Sequence, residues 1–245
     1  MPRWKLTIEF DGTHFSGWQR QQKGRTVQEE LELALSTFCR KEIEVSGQGR
    51  TDSGVHAEDQ VAHADIPGAV DPDRLLSAMR GLLPEDMAVI DAKVVEAEFH
   101  ARFDAQSRLY RYQIATRPVP LKRKLHWMLL TPFDEDILHR CAELVMGEHD
   151  FRNFAKEEKP TEHVSSTECT ITTSYWVSEQ DIWIYKIEGN RFLRHMVRRI
   201  VGSTMMTATG RMEMDAFREL LDGKHVHRKG HSAPPEGLIL EKVLY

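Results

Sequence analysis

Twice along this chain the apolar period switches from two to about 3.6 and back in the same order. Trp4, Leu6, Ile8 and Phe10 alternate with Lys5, Thr7 and Glu9, which predicts a half-buried strand ending at Asp11-Gly12. Thr26-Val27-Gln28-Glu29 reads as a capping box, with Val27, Leu31, Leu35 and Phe38 on one helical face. Strands are predicted near 43–48 and 60–65. Asp71 caps a second helix with Pro72 at its first position and Leu75, Leu76, Met79 and Leu82-Leu83 as its apolar residues; Pro84 ends it. Residues 87–95 make a further strand. This β-α-β-β-α-β order is the ferredoxin-like unit.

The second half follows the same plan without repeating the sequence. A strand at 109–115 puts Tyr110, Tyr112 and Ile114 on one face, and Asp134 caps a helix that Gly147 stops. Strands near 168–177 and 182–188 form a hairpin. A longer helix is expected from about Phe192, a short one over 215–221, and a closing strand over 238–243. The expected architecture is α+β: two fused ferredoxin-like, RRM-like βαββαβ subdomains with an active-site cleft between them. They span 1–104 and 105–245, joined near 96–106. The stretches 123–133, 148–167 and 223–237 read as long loops, which in compact domains are often binding elements.

At 245 residues and 40% hydrophobic content the chain can bury a sizeable core, and no run reaches the ~18 apolar residues of a membrane span. Its first residues alternate like a strand and do not resemble a signal peptide. Cys39, Cys141 and Cys169 are odd in number and far apart, so a disulfide framework is not expected and a cytoplasmic location is. The net charge of −5 conceals two basic blocks. One holds Arg102, Arg108, Arg111, Arg117, Lys122, Arg123 and Lys124; the other holds Arg191, Arg194, Arg198, Arg199, Arg211, Lys224, Arg228 and Lys229. Such blocks on an acidic protein suggest a local track for a polyanion.

The chemistry is concentrated in Gly49-Arg50-Thr51-Asp52-Ser53-Gly54-Val55-His56-Ala57. Glycines on either side of a carboxylate allow unusual dihedrals and close approach to a ligand, and Arg50 supplies a nearby countercharge. An Asx-turn between two strands is the plainer reading of that loop taken alone. Other chemistries lack their motifs. His56-Ala57-Glu58 would need a Pro-Cys-x-x-Cys to resemble a zinc deaminase. His225, His227 and His231 sit among Lys224, Arg228 and Lys229, which favours a polar or RNA-contacting loop over a metal site. No phosphate-binding glycine loop is present, and Cys39 and Cys141 fall on apolar helix stripes.

Two basic elements complete the set. On a helix over 192–202, Leu193, Met196, Val197, Ile200 and Val201 would be buried while Arg191, Arg194 and Arg198 share one face. Stacked like charges call for an anion, either a phosphate backbone or Asp52. In Arg108-Leu109-Tyr110-Arg111-Tyr112, flat rings alternate with guanidinium groups, a pattern that can stack single-stranded bases; Tyr112 fits a core role equally well.

Taken in order, these motifs resemble the tRNA pseudouridine synthase A family. The Gly49–Ala57 stretch with Gln60-Val61-Ala62-His63 is similar to its signature loop. The likeness continues through Phe10-Asp11-Gly12, Phe15-Ser16-Gly17-Trp18-Gln19 and Thr26-Val27-Gln28. Further matches are Phe99-His100-Ala101-Arg102-Phe103, the 108–112 strand, Phe192-Leu193-Arg194-His195-Met196-Val197-Arg198 and Ala233-Pro234-Pro235-Glu236-Gly237-Leu238. The resemblance implies that Asp52 is the catalytic aspartate, that Arg198 pairs with it and that Arg50 assists base flipping. Tyr110 would pack against the uracil and Leu238 would line the pocket, with Arg194 and Arg108 as further substrate-binding candidates. It also implies no metal or organic cofactor, a homodimer, and tRNA as partner, modified at positions 38 to 40 of the anticodon stem-loop. Asp52 is assigned as nucleophile; base at the sugar and stabiliser of developing charge remain open. Ser53, Gln48, Arg194 and Arg199 depart from the commoner family residues and leave substrate range open. The competing readings are an RNA-binding or tRNA-folding module with a vestigial site, a synthase acting at other RNA positions, and a nucleoside-cleaving glycosidase.

Overall fold

A computed structural model describes residues 1–156, 166–223 and 229–245. These form a mixed α+β protein whose described elements include five α-helices and ten strands. They divide into two compact units, Met1–Gln106 with Ile239–Tyr245, and Ser107–Leu238.

In the first unit, β1 (Arg3–Phe10) lies between two antiparallel neighbours, β3 (His56–Asp65) and β4 (Met87–Val95), with Leu6 opposite both Ala62 and Ala92. The alternation of β1 has the expected consequence: Trp4, Leu6, Ile8 and Phe10 are all buried. Helix α1 (Val27–Cys39) starts where the Thr26 hydroxyl accepts the Glu29 N–H, and Val27, Leu31 and Leu35 form its buried stripe. Helix α2 (Pro72–Leu82) starts where Asp71 accepts the Asp73 N–H, with Pro72 in its first turn. The strand expected over 43–48 contracts to β2 (Ser46–Gly47), paired with β3. Ile43 and Val45 are buried, but α1 takes their main-chain donors: Ile43 N–H donates to Ser36 Oγ at 2.9 Å and Val45 N–H to Glu32 Oε1 at 3.1 Å. Side-chain acceptors that compete with a ladder shorten it.

The second unit is built on the antiparallel order β5-β9-β8-β7, formed by β5 (Ser107–Ala115), β7 (Gly147–Asp150), β8 (Glu168–Glu179) and β9 (Ile182–Gly189). β6 (Trp127–Met128) adds to β5 in parallel. Helices α3 (Glu135–Val145), α4 (Met196–Ala208) and α5 (Met214–Leu221) complete the unit. Asp134 caps α3 through the Asp136 and Ile137 N–H groups. Of the stretches expected as loops, 123–133 contains β6 and the described part of 148–167 most of β7, whose short bridges are too brief to show a period; residues 157–165 lie outside the described residues.

Strand β10 (Leu238–Leu244) corrects the expectation that the C-terminus closes the second half. From Ile239 onward it belongs to the first unit, pairing in parallel with β3 through Ile239–His56 and Leu240–Ala57. Val243 N–H donates to Asp59 at 2.8 Å and the Tyr245 hydroxyl to Ala101 O at 2.7 Å. Long-range pairing, invisible to local periodicity, decides its place. No helix among the described residues is long and apolar enough to cross a membrane.

Candidate functional site

Asp52 lies on the loop between β2 and β3, and the main chain of that loop is tied down residue by residue. Val55 N–H donates to Asp52 O at 3.2 Å, and Gly54 follows Asp52 and Ser53 with φ +79°, a conformation few L side chains adopt. Residues 12–18 run beneath it. Trp18 N–H donates to Thr51 O at 3.2 Å, while Gly54 N–H and the Ser53 hydroxyl donate to Phe15 O at 3.4 and 3.2 Å. Two glycines make this approach possible. A Cβ on Gly12 would fall 2.0 Å from Val55 O, and one on Gly17, where φ is +95°, 2.6 Å from Thr51 O. Gln60 steadies the near end of the loop by donating to Gly49 O at 3.2 Å. Phe15, Trp18, Thr51 and Val55 are buried, Asp52 is half-buried, and Arg50 and Ser53 are exposed. A fixed backbone thus presents a carboxylate and a guanidinium from one loop, the arrangement a reacting group requires.

His56 acts within this frame. Its Nδ1 accepts the Gly12 N–H at 3.0 Å and lies 3.1 Å from the Asp11 carboxylate. Among the described residues, no group of three His, Cys, Asp or Glu side chains could hold a metal ion. His225 and His227 lie outside the described residues, as do Lys224 and Arg228, and His231 is exposed. Burial pushes the Cys141 thiol up to about 12 and the Cys169 thiol to about 11, which suppresses thiolate chemistry. Cys141 sits in the core as expected, whereas Cys39 is only half-buried.

In the second unit the basic helix begins later than its apolar period predicts. His195 takes a left-handed conformation, φ 66°, so α4 starts at Met196. Arg191 and Arg194 precede the helix, and the row expected at Arg191, Arg194 and Arg198 does not form on it. Arg194 is exposed, and its main-chain O accepts the Lys156 N–H at 2.9 Å. Met196, Val197, Ile200 and Val201 are buried as expected; Leu193, ahead of the helix, is half-buried.

Arg198 holds the segment that leads to Leu238. Its Nε donates to Ala233 O at 2.9 Å, and the main chains reciprocate, Ala233 N–H donating to Arg198 O at 2.9 Å. Ser203 Oγ accepts the His231 N–H at 3.1 Å. Gly202 leaves the surface of α4 flat there, since a Cβ would lie 2.2 Å from His231 O. The segment then passes through a tight turn, Pro235–Gly237, to the buried Leu238. Tyr112 fixes that turn: its hydroxyl donates to Pro234 O at 2.8 Å, and a Cβ on Gly237 would fall 2.7 Å from its ring. Tyr112 is therefore the core tyrosine of the strand. Tyr110, two residues earlier, is half-buried with Phe192 edge-on at 5.2 Å. Arg108 is buried and donates through Nη1 to Asn190 O at 2.7 Å.

Arg50 and Asp52 thus share one loop of the first unit. In the second, Arg108 and Tyr110 lie on β5, Arg194 ahead of α4, and Arg198 on it, holding the segment that ends in Leu238. The contributions of Phe15, Gly17 and Tyr112 to these scaffolds were not legible from spacing, because each acts on main chain far away in sequence.

A rigid, glycine-bounded carboxylate in a mixed α+β protein with arginine-bearing elements equips an enzyme for acid–base or nucleophilic chemistry on a polyanionic substrate. The chain belongs to the tRNA pseudouridine synthase family, an isomerase family, whose model matches residues 6–104 and 141–245. It is 38% identical over 245 residues to tRNA pseudouridine synthase A of Bacteroides fragilis, covering 99% of this chain and 96% of that protein. Identity is 35% over 247 residues to the protein of the same name from Myxococcus xanthus, covering 100% and 92%. It is 38% over 248 residues to that of Parvibaculum lavamentivorans, covering the whole of both.

Proposed function

We propose that this protein isomerises uridine to pseudouridine in the anticodon stem-loop of tRNA, at positions 38, 39 and/or 40, with Asp52 as the catalytic group. The observation that carries the reading is the clamped Asp52 loop in a chain whose full-length relatives bear the name tRNA pseudouridine synthase A.

The reaction breaks N1–C1′, turns the uracil, and joins C5 to C1′; C5 loses its proton and N1 gains one. The base must first leave its stack, which costs a few kcal/mol. Arg50, exposed beside Asp52, is suited to hold the opened strand. Tyr110 packs against the freed uracil, Leu238 lines the pocket, and water is kept from the sugar. Arg198 pairs with the Asp52 carboxylate, while Arg194 and Arg108 contribute to RNA binding. Asp52 serves as nucleophile, and no step of this chemistry needs a metal or organic cofactor. The reading includes the finer architecture of two fused βαββαβ subdomains with the active-site cleft between them. It also includes a homodimer and a cytoplasmic location.

The test is pseudouridine formation on an unmodified tRNA transcript. The wild-type protein converts uridine in intact strands, and Asp52→Ala does not. Free uracil would indicate a glycosidase instead, and salt-sensitive binding without conversion an RNA-binding module.

A further inference from the structure

Arg25 belongs to neither the signature loop nor the basic elements, yet it is among the most heavily tethered side chains of the first unit. Nη1 and Nη2 donate to both carboxylate oxygens of Asp86, at 2.7 and 2.8 Å. Nε donates to Glu30 at 2.6 Å, in the first turn of α1. The Asp86 hydrogen bonds, aided by Glu30, raise the guanidinium pKa above its usual value, against partial desolvation. Thus held on its edges, the guanidinium plane covers Phe15, 4.2 Å from the ring centroid. Its main chain adds a second tie, Ser16 N–H donating to Arg25 O at 2.7 Å. Phe15 is the residue whose carbonyl accepts both Gly54 N–H and the Ser53 hydroxyl, the two residues that follow Asp52.

We propose that Arg25 is a positioning residue for the reaction: braced by Asp86 and Glu30, it presses Phe15 into place, and Phe15 fixes the Asp52 loop. It acts through Phe15 and touches no substrate. A planar fork is required, because the same group must hold a carboxylate through two nitrogens and at the same time lie flat over a ring; lysine supplies the charge without the fork. The inference rests on the reading that Asp52 reacts with the substrate.

The experiment uses the full-length protein and an unmodified tRNA transcript carrying 5-tritiated uridine, whose label is released to water when C5 bonds to the sugar. Arg25→Lys, Phe15→Leu and Asp52→Ala are compared with wild type for kcat, KM and melting midpoint. For Arg25→Lys the expected result is a fall in kcat of about 10- to 100-fold with KM unchanged, the effect of a small misplacement of the reacting group. Phe15→Leu falls in the same sense. Folded variants with wild-type kcat, or a change confined to KM, would overturn the proposal. If Arg25→Lys does not fold, Phe15→Leu decides by the same criteria. The underlying reading fails separately, if Asp52→Ala itself releases tritium at the wild-type rate.

Discussion

The Asp52 loop and the segment leading to Leu238 solve opposite problems with similar parts. The first displays a carboxylate and is held mostly through main chain: Thr51 O, Gly54 N–H and Asp52 O are all engaged, and glycines at 12 and 17 admit the supporting segment. The second delivers a buried leucine, so side chains grip it: Arg198 Nε, Ser203 Oγ and the Tyr112 hydroxyl all bond its backbone. A loop that displays a carboxylate needs rigidity from beneath, whereas a buried leucine needs only its core and a fixed turn. Changes beneath the first should therefore cost activity above all, and changes around the second mainly stability.

The largest effect is expected from Gly12→Ala, whose Cβ would fall 2.0 Å from Val55 O. The added methyl must push the Asp52 loop aside, so activity should drop about 100-fold or more, in line with the cost of misplacing a reacting group by ~1 Å. A folded Gly12→Ala with normal activity would break the comparison. Gly202→Ala places its Cβ 2.2 Å from His231 O, in the second region. There the expected outcome is a loss of about 1–3 kcal/mol in denaturant unfolding, typical of overpacking, with a smaller fall in activity. Tyr112→Phe removes one hydroxyl bond to Pro234 O and should cost about 0.5–1.5 kcal/mol with activity nearly retained.

The last prediction concerns acid, with no effect expected at neutral pH. His63, on the strand that follows the Asp52 loop, accepts the Ala101 N–H at 3.1 Å; burial first, then the neighbouring His100 and Arg3, lower its pKa to about 4. The unfolded chain protonates that imidazole near 6.5, so its contribution is present above pH ~6.5 and lost as pH falls towards 4. Melting curves should show this slope in the wild-type protein and a flatter one in His63→Asn.

Local chemistry made much of this legible. The caps at Thr26, Asp71 and Asp134 each need only the next two or three residues, and all three hold. The alternation of β1 likewise names its own buried face. What failed depended on distant partners. The 43–48 strand lost its donors to Glu32 and Ser36, and β10 joined β3 from far along the chain. The arginine row failed because His195 turns left-handed and delays α4, which no apolar period reveals. At the candidate site, the loop of Asp52 was visible as a motif. Its brace through Phe15 and Arg25 was not, since that consists of a carbonyl and a stacked ring.

The most direct measurement is the rate of pseudouridine formation by wild-type protein and Asp52→Ala on the same unmodified tRNA, with the modified positions mapped. Conversion at one or more of positions 38, 39 and 40 is expected of the wild type, and none above background of an equally folded Asp52→Ala. Equal rates for the two proteins would contradict Asp52 as the catalytic group.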